Sequence, residues 1–258
     1  MEIWQAILLG AVQGFAEFLP ISSSGHLMLL QHFFGIKEAF FYSVMLHVGT
    51  LIPVIIVLWK EILALFKKPF NKFLYLVVAT IPAGIVGIIF SKFIDIDSLF
   101  QSNLWLLGIT FLFTAFELFY SERRCKKVEM IKPINYKTGF IMGLGQAVGV
   151  FPGISRSGTT ITAGTIAKVN KNENANFTFL MSIPIILAAV LMEGYDCIKT
   201  GMIVDINVTA LILGVITSAV CGYIAIKFML NIIKKANYKW FSLYLIVISC
   251  ITFISSFM

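Results

Sequence analysis

A seventeen-residue stretch occurs twice in this chain, and its flanks restrict the fold more than any other feature. Residues 10–26 read GAVQGFAEFLPISSSGH and residues 143–159 read GLGQAVGVFPGISRSGT. At a constant offset of 133, seven positions are identical: Gly10/Gly143, Gln13/Gln146, Phe18/Phe151, Ile21/Ile154, Ser22/Ser155, Ser24/Ser157 and Gly25/Gly158. Each copy joins two apolar arms through a turn containing Pro20 or Pro152-Gly153. The arms, 3–19 with 24–34 and 138–151 with 157–167, are too short or too polar to cross a bilayer, which takes about 20 apolar residues. Two short helices and a Pro/Gly turn at membrane depth make a re-entrant hairpin. Lipid cannot satisfy the freed backbone groups, so such a hairpin has to face protein or a water-filled cavity.

Composition supplies the bilayer. The chain is 59% hydrophobic and 13% charged, with a mean hydropathy of +0.91, whereas a soluble domain carries about 25% charged residues. Six further runs approach or reach spanning length: 41–59, 73–90, 104–120, 177–193, 208–226 and 240–258. The net charge of +7 does not indicate nucleic acid, because the basic residues cluster between apolar runs, where they encode topology. Segments 60–72, 121–137 and 231–239 hold those clusters and are expected in the cytoplasm. Segments 91–103 and 194–207, with Asp95, Asp97, Asp196 and Asp205, are expected outside. Glu2 stands where a signal peptide would be basic, and no A-x-A pattern follows, so no signal peptide is expected. Cys125, Cys197, Cys221 and Cys250 are scattered, with no CxxC, and read as small buried hydrophobes.

Threaded with these constraints, helix 41–59 runs inward and its counterpart 177–193 runs outward. The sequences LIPVII (51–56) and SIPIIL (182–187) support that pairing. The expectation is an all-α polytopic membrane protein, one membrane domain over 1–258, with six transmembrane helices plus two re-entrant helical hairpins, about ten helices in all. A first inverted repeat, 1–120 with hairpin 3–34, connects through a basic cytoplasmic link, 121–137, to a second, 138–258 with hairpin 138–167. Both termini lie outside. Inverted repeats with broken helices place a site near the midplane, as in secondary transporters.

The differences between the copies carry the chemistry. The first has Glu17 and His26 where the second has Val150 and Thr159, and the second has Arg156 where the first has Ser23. A charge at membrane depth costs about 2.5–3.5 kcal/mol on insertion scales, so Glu17 calls for a function. Gln13, four residues earlier, shares its helical face, and the pair suits a metal ligand or a base with an orienting partner. Ser22-Ser23-Ser24-Gly25-His26 reads as a Ser-rich cap. Within it, Ser23 and His26 fit a nucleophile with its base, or His26 itself attacks phosphorus or protonates a leaving group. Pro152 to Thr160 is a Gly-rich turn opening a helix, which is an anion site. There Arg156 adds a fork for phosphate, and Thr160 is expected to face the same way. His32 reads as interfacial and His47 as a packed membrane histidine without polar neighbours. Glu117 and Glu193 are read as helix-end residues within reach of water.

QGFAEFLPISSSGH followed by PGISRSGTT resembles the bacitracin-resistance family of undecaprenyl-diphosphate phosphatases over the whole chain. The family's [E/Q]xxxE element falls on Gln13 and Glu17, its Ser-rich turn on Ser22 to His26, and its PGxSRSxxT element on Pro152 to Thr160. Many members carry Glu at the position of Gln13. Gln146 resembles a family glutamine near the pocket. The resemblance implies hydrolysis of undecaprenyl diphosphate to the monophosphate and inorganic phosphate in the bacterial plasma membrane, which recycles the cell-wall lipid carrier and confers bacitracin resistance. It implies catalytic roles for Glu17, Ser23, His26 and Arg156. Phosphate contacts are implied for Gln13, Ser22, Ser24, Gly153, Ser155, Arg156, Ser157, Gly158, Thr160 and Gln146. A divalent cation (Mg2+ or Ca2+) on Glu17 and Gln13 and a site open to the outer face complete the expectation. Whether Ser23, His26 or water attacks stays open, as does homodimer formation. The rival is a lipid-phosphate transporter or flippase, which shares the inverted repeat but does not require Glu17 and His26 beside the phosphate. An intramembrane serine protease has no use for a buried Arg156.

Overall fold

The computed structural model describes residues 1–36, 40–200 and 207–256. Glu193, Asp196, Cys197 and Asp205, used in the sequence argument, lie outside the side chains described. The described residues form twelve helices: α1 (Ile3–Phe18), α2 (Ser23–Phe34), α3 (Phe40–Val57), α4 (Trp59–Leu65), α5 (Asn71–Phe93), α6 (Ile96–Ser102), α7 (Trp105–Lys127), α8 (Tyr136–Val148), α9 (Arg156–Ile166), α10 (Lys171–Thr200), α11 (Val208–Lys235) and α12 (Lys239–Ser255). Among the described residues each expected arm and span falls mainly on one helix, though 41–59 runs past the end of α3 into the bend before α4 and 138–151 runs past the end of α8. The two helices beyond the expected ten are α4 and α6, which bend away from α3 by 81° and from α7 by 106°. Three helices, α5, α10 over 171–192 and α11, are long and apolar enough to cross a membrane unaided.

Polarity is arranged for lipid. Large apolar side chains such as Phe93, Phe116, Leu191 and Val247 point outward, while Ser182, Ser218, Ser249 and Thr252 are buried. Hydroxyls tie helices together where backbones come close, as expected where no hydrophobic effect drives helix pairing. Ser218 Oγ donates to the Leu46 carbonyl at 2.8 Å and Ser249 Oγ to that of Gly108 at 2.7 Å. Cys250 departs from its expected burial. It lies on the outward face of α12, where a thiol is no less at home in lipid than in the core.

The hairpins are held by exchange between the two parts of the chain. Helix α1 lies along α11, and α8 lies along α5. The contacts are equivalent. A Cβ on Gly10 would stand 2.4 Å from the Gly214 carbonyl oxygen, and one on its repeat mate Gly143 would stand 2.4 Å from that of Ala79. Helix α7 packs on α12, and α3 on α10. The charged stretch 121–137 is only partly a loop, because α7 continues to Lys127. Its Glu122 accepts the N–H groups of Tyr238 and Lys239 at 2.7 Å each, and the Lys132 backbone pairs with Lys168 and Asn170 at 2.9 Å. That stretch is anchored at both ends.

The close helix contacts give a direct expectation. Gly10→Ala and Gly143→Ala should each destabilise by about 1–3 kcal/mol, the usual penalty for overpacking, and by similar amounts. Thermal unfolding of the purified protein in detergent checks it; a tolerated Gly143→Ala would contradict the exchanged packing.

Candidate active site

The repeated sequence folds into the same cap twice. Ser22 and Ser155 are the N-caps of α2 and α9, accepting from the N–H of Gly25 at 3.3 Å and of Gly158 at 3.2 Å. Ser24 Oγ and Ser157 Oγ each lie against the capping hydroxyl, at 3.3 and 3.2 Å. Two positions on, His26 Nδ1 bonds the Ser22 carbonyl at 2.8 Å and Thr159 Oγ1 bonds that of Ser155 at 3.1 Å. Gly153, at φ +79°, lets the second turn approach the first, and a Cβ on Gly25 would come within 2.9 Å of the Gly153 Cα. Each cap leaves its first two helical N–H groups, of Ser23 and Ser24 and of Arg156 and Ser157, without an acceptor among the described groups. Two helix N-termini thus converge, each with free donors and a positive dipole end. Such a pair of termini suits an anion.

The residues opening the two helices, Ser23 and its mate Arg156, reach the same carboxylate. Ser23 Oγ donates to Glu17 Oε2 at 2.7 Å, and Arg156 Nη2 donates to Glu17 Oε1. Gln13 Nε2 donates to Oε2 at 3.1 Å. The ion pair is nearly enclosed, with the Glu17 side chain 5% and that of Arg156 15% exposed. Ser157 Oγ donates across to the Leu19 carbonyl at 3.3 Å, which ties the two turns together.

Residues 6–251 match the family model described as bacitracin resistance protein BacA. The chain belongs to this family. It is similar to an undecaprenyl-diphosphatase of Carboxydothermus hydrogenoformans, 38% identical over 247 residues that cover 95% of this chain and 94% of the relative. Undecaprenyl-diphosphatase 4 of Bacillus cereus is 40% identical over 246 residues, 95% of this chain and 93% of the relative. An undecaprenyl-diphosphatase of Bacteroides fragilis is 38% identical over 270 residues, with 99% of both chains covered.

Several positions in this BacA-family chain differ from the sequence expectation. Ser23 and His26 do not bond each other: Ser23 turns to Glu17, and the second nitrogen of His26, Nε2, lies 2.8 Å from the Tyr244 hydroxyl. The Thr160 hydroxyl faces back, donating to the Arg156 carbonyl at 2.8 Å, because a threonine inside a helix satisfies itself on the preceding turn. His47 is no isolated packing residue. Its Nε2 is 3.8 Å from Glu17 Oε2, with Nδ1 turned to the Ser43 carbonyl at 2.8 Å. Glu117 is not at a helix end, because α7 runs ten residues past it; it is buried behind Gly158, with Oε1 unpaired. Gln146 is buried with neither amide atom paired. Neither His47 nor Tyr244 carries a motif. The one signal was that each is a polar group inside an apolar run.

Among the described residues no three His, Cys, Asp or Glu side chains converge as a metal cage. The oxygens on offer are the Glu17 carboxylate and Gln13 Oε1, which is buried and unpaired. One carboxylate and one amide oxygen suit a Mg2+ ion that keeps water and substrate phosphate as its other ligands.

Breaking the pair by Glu17→Ala or Arg156→Leu should each cost about 3 kcal/mol of stability, since the survivor is left as an unpaired charge. The double variant should lose clearly less than the sum. Chemical unfolding of all four proteins in detergent measures the coupling, and full additivity would mean that the pair is not formed.

Proposed function

We propose that this chain is an integral-membrane phosphatase that converts undecaprenyl diphosphate to undecaprenyl phosphate and inorganic phosphate. The observation that carries the reading is the Glu17 carboxylate held between Ser23 and Arg156 at two converging helix N-termini. The lipid diphosphate that the relatives' names specify is the kind of anion such a site recognises.

Charge and geometry suggest the course of the reaction. The terminal phosphoryl group takes the free N–H groups of α9 and α2, and the Arg156 fork turns to it from Glu17. Phosphoryl transfer depends mainly on positioning and charge neutralisation, which these donors supply. Glu17, released from Arg156, is free to act as a base. Ser23 is the favoured nucleophile, because its hydroxyl already donates to Glu17. As Glu17 takes its proton, Ser23 Oγ bonds the terminal phosphorus and the bridging P–O bond breaks, releasing undecaprenyl phosphate. Glu17 passes that proton to the departing phosphate. It then takes one from the water that attacks the phosphoserine and returns it to Ser23 Oγ as the Oγ–P bond breaks, which frees inorganic phosphate and restores the starting carboxylate. His26 has both nitrogens engaged, which disfavours it as the attacking group. A divalent cation, held by Glu17 and Gln13 Oε1, would neutralise charge on the diphosphate.

The chain is a multi-pass membrane protein of the BacA family. Its finer organisation is part of the proposal: inverted units 1–120 and 138–258 around a cytoplasmic link 121–137, both termini outside, and a site open to the outer face. Charge distribution supports that orientation.

Purified protein should release phosphate from undecaprenyl diphosphate in detergent. Arg156→Ala and Glu17→Ala should each lower kcat/KM by about 1,000-fold, and acid-quenched enzyme should carry phosphate on Ser23. Intact turnover in both variants would sink the site assignment, and an unlabelled quench with normal turnover would transfer the attack to water. For orientation, Lys132→Cys in a chain freed of its native cysteines should resist an impermeant thiol reagent added to whole cells. Labelling there would invert the topology.

A further inference from the structure

We infer that Tyr244 is a positioning residue for the reaction, acting through His26; this rests on the phosphatase reading above. His26 is the fourth residue of α2, one turn beyond Ser23 on the same helical face. Its ring is held at both nitrogens. Nδ1 lies 2.8 Å from the Ser22 carbonyl, which can only accept, so the neutral imidazole carries its proton there. That leaves the lone pair on Nε2. The Tyr244 hydroxyl, 2.8 Å away, therefore donates to it. The two rings lie nearly parallel, 9° between planes and 5.6 Å between centroids, and Phe111 stands edge-on to the imidazole at 5.2 Å.

The repeat separates what is structural in this arrangement from what is not. Thr159, the mate of His26, makes the equivalent bond to the capping serine's carbonyl and needs no ring to do so. The cap alone would be served by a hydroxyl. Only a ring with a second nitrogen at that place meets Tyr244, and that bond is the one described hydrogen bond joining α2 to α12. Tyr244 is 40% exposed on an outward-facing helix whose neighbours Leu243 and Val247 face lipid. A phenol there has few other partners. With the tautomer set by the Ser22 carbonyl, the Tyr244 hydroxyl holds the ring by its bond to Nε2 and stops the imidazole rotating beside the Ser23 turn.

Tyr244→Phe keeps the stack and removes the donor. Phosphate release from undecaprenyl diphosphate should fall about tenfold in kcat, with KM within about twofold, as expected for one lost hydrogen bond felt in the transition state. In a His26→Gln background the same change should add nothing. The chain has three histidines, so 15N-histidine NMR in detergent identifies His26 by its absence in His26→Gln. Wild type should show the Nδ1–H tautomer with a hydrogen-bonded Nε2, and Tyr244→Phe the same tautomer with its Nε2 resonance moved towards that of a free imidazole nitrogen. The inference is overturned by wild-type kcat in Tyr244→Phe, by a loss fully additive with that of His26→Gln, or by an unchanged Nε2 resonance. A wild-type protein that releases no phosphate overturns the phosphatase reading instead, and the NMR comparison still decides the tyrosine's role.

Discussion

A carboxylate and a guanidinium have been placed where lipid can solvate neither, and much of the architecture follows from holding them together. Glu17 and Arg156 come from sequence positions 139 residues apart, so their pairing requires the two hairpin turns to meet. The turns meet because Gly25 and Gly153 lack side chains at the point of contact. They stay in place because Gly10 and Gly143 let each hairpin settle against a helix from the other part of the chain. Such a pair adds little net stability, since desolvation takes back most of the attraction. What it gives is a pre-aligned cation that a stronger anion can draw away.

Duplication explains the economy of the site. One cap, built from a serine, a second serine and a glycine, is used twice to aim two helix N-termini at one point. The candidate site is built where the copies stopped being alike. Ser23 and Arg156 hold equivalent places and reach the two oxygens of one carboxylate, one as a hydroxyl and the other as a charge. The mate of Glu17 is Val150. A second acid there would have set two negative charges around an anion pocket.

Much of this was legible in the residues. Length and apolarity gave all ten expected helices, because in lipid the backbone has few alternatives to a helix. The repeat marked the hairpins, and the unlike positions within it marked Glu17, Ser23, His26 and Arg156. What escaped was set by contacts between distant segments. His47 sits on α3, 30 residues beyond Glu17, and nothing around LHVGT tells which way it points. Tyr244 is one aromatic among many. Glu117 reads as a helix end because the apolar run stops near Tyr120, while the helix itself continues to Lys127. The Ser23–His26 pairing failed for a related reason: shared spacing puts two side chains on one face, but a stronger acceptor for each lay elsewhere.

The exchanged packing also sets an order of assembly during synthesis. Helix α8 docks on α5, which has already left the ribosome when α8 emerges. The partner of α1 is α11, among the last segments made. The first hairpin, with its carboxylate, therefore spends nearly the whole of translation without its final neighbour. It depends on the insertion machinery or on transient contacts until residues near 230 are in the membrane. The candidate site is among the last parts of this molecule to close.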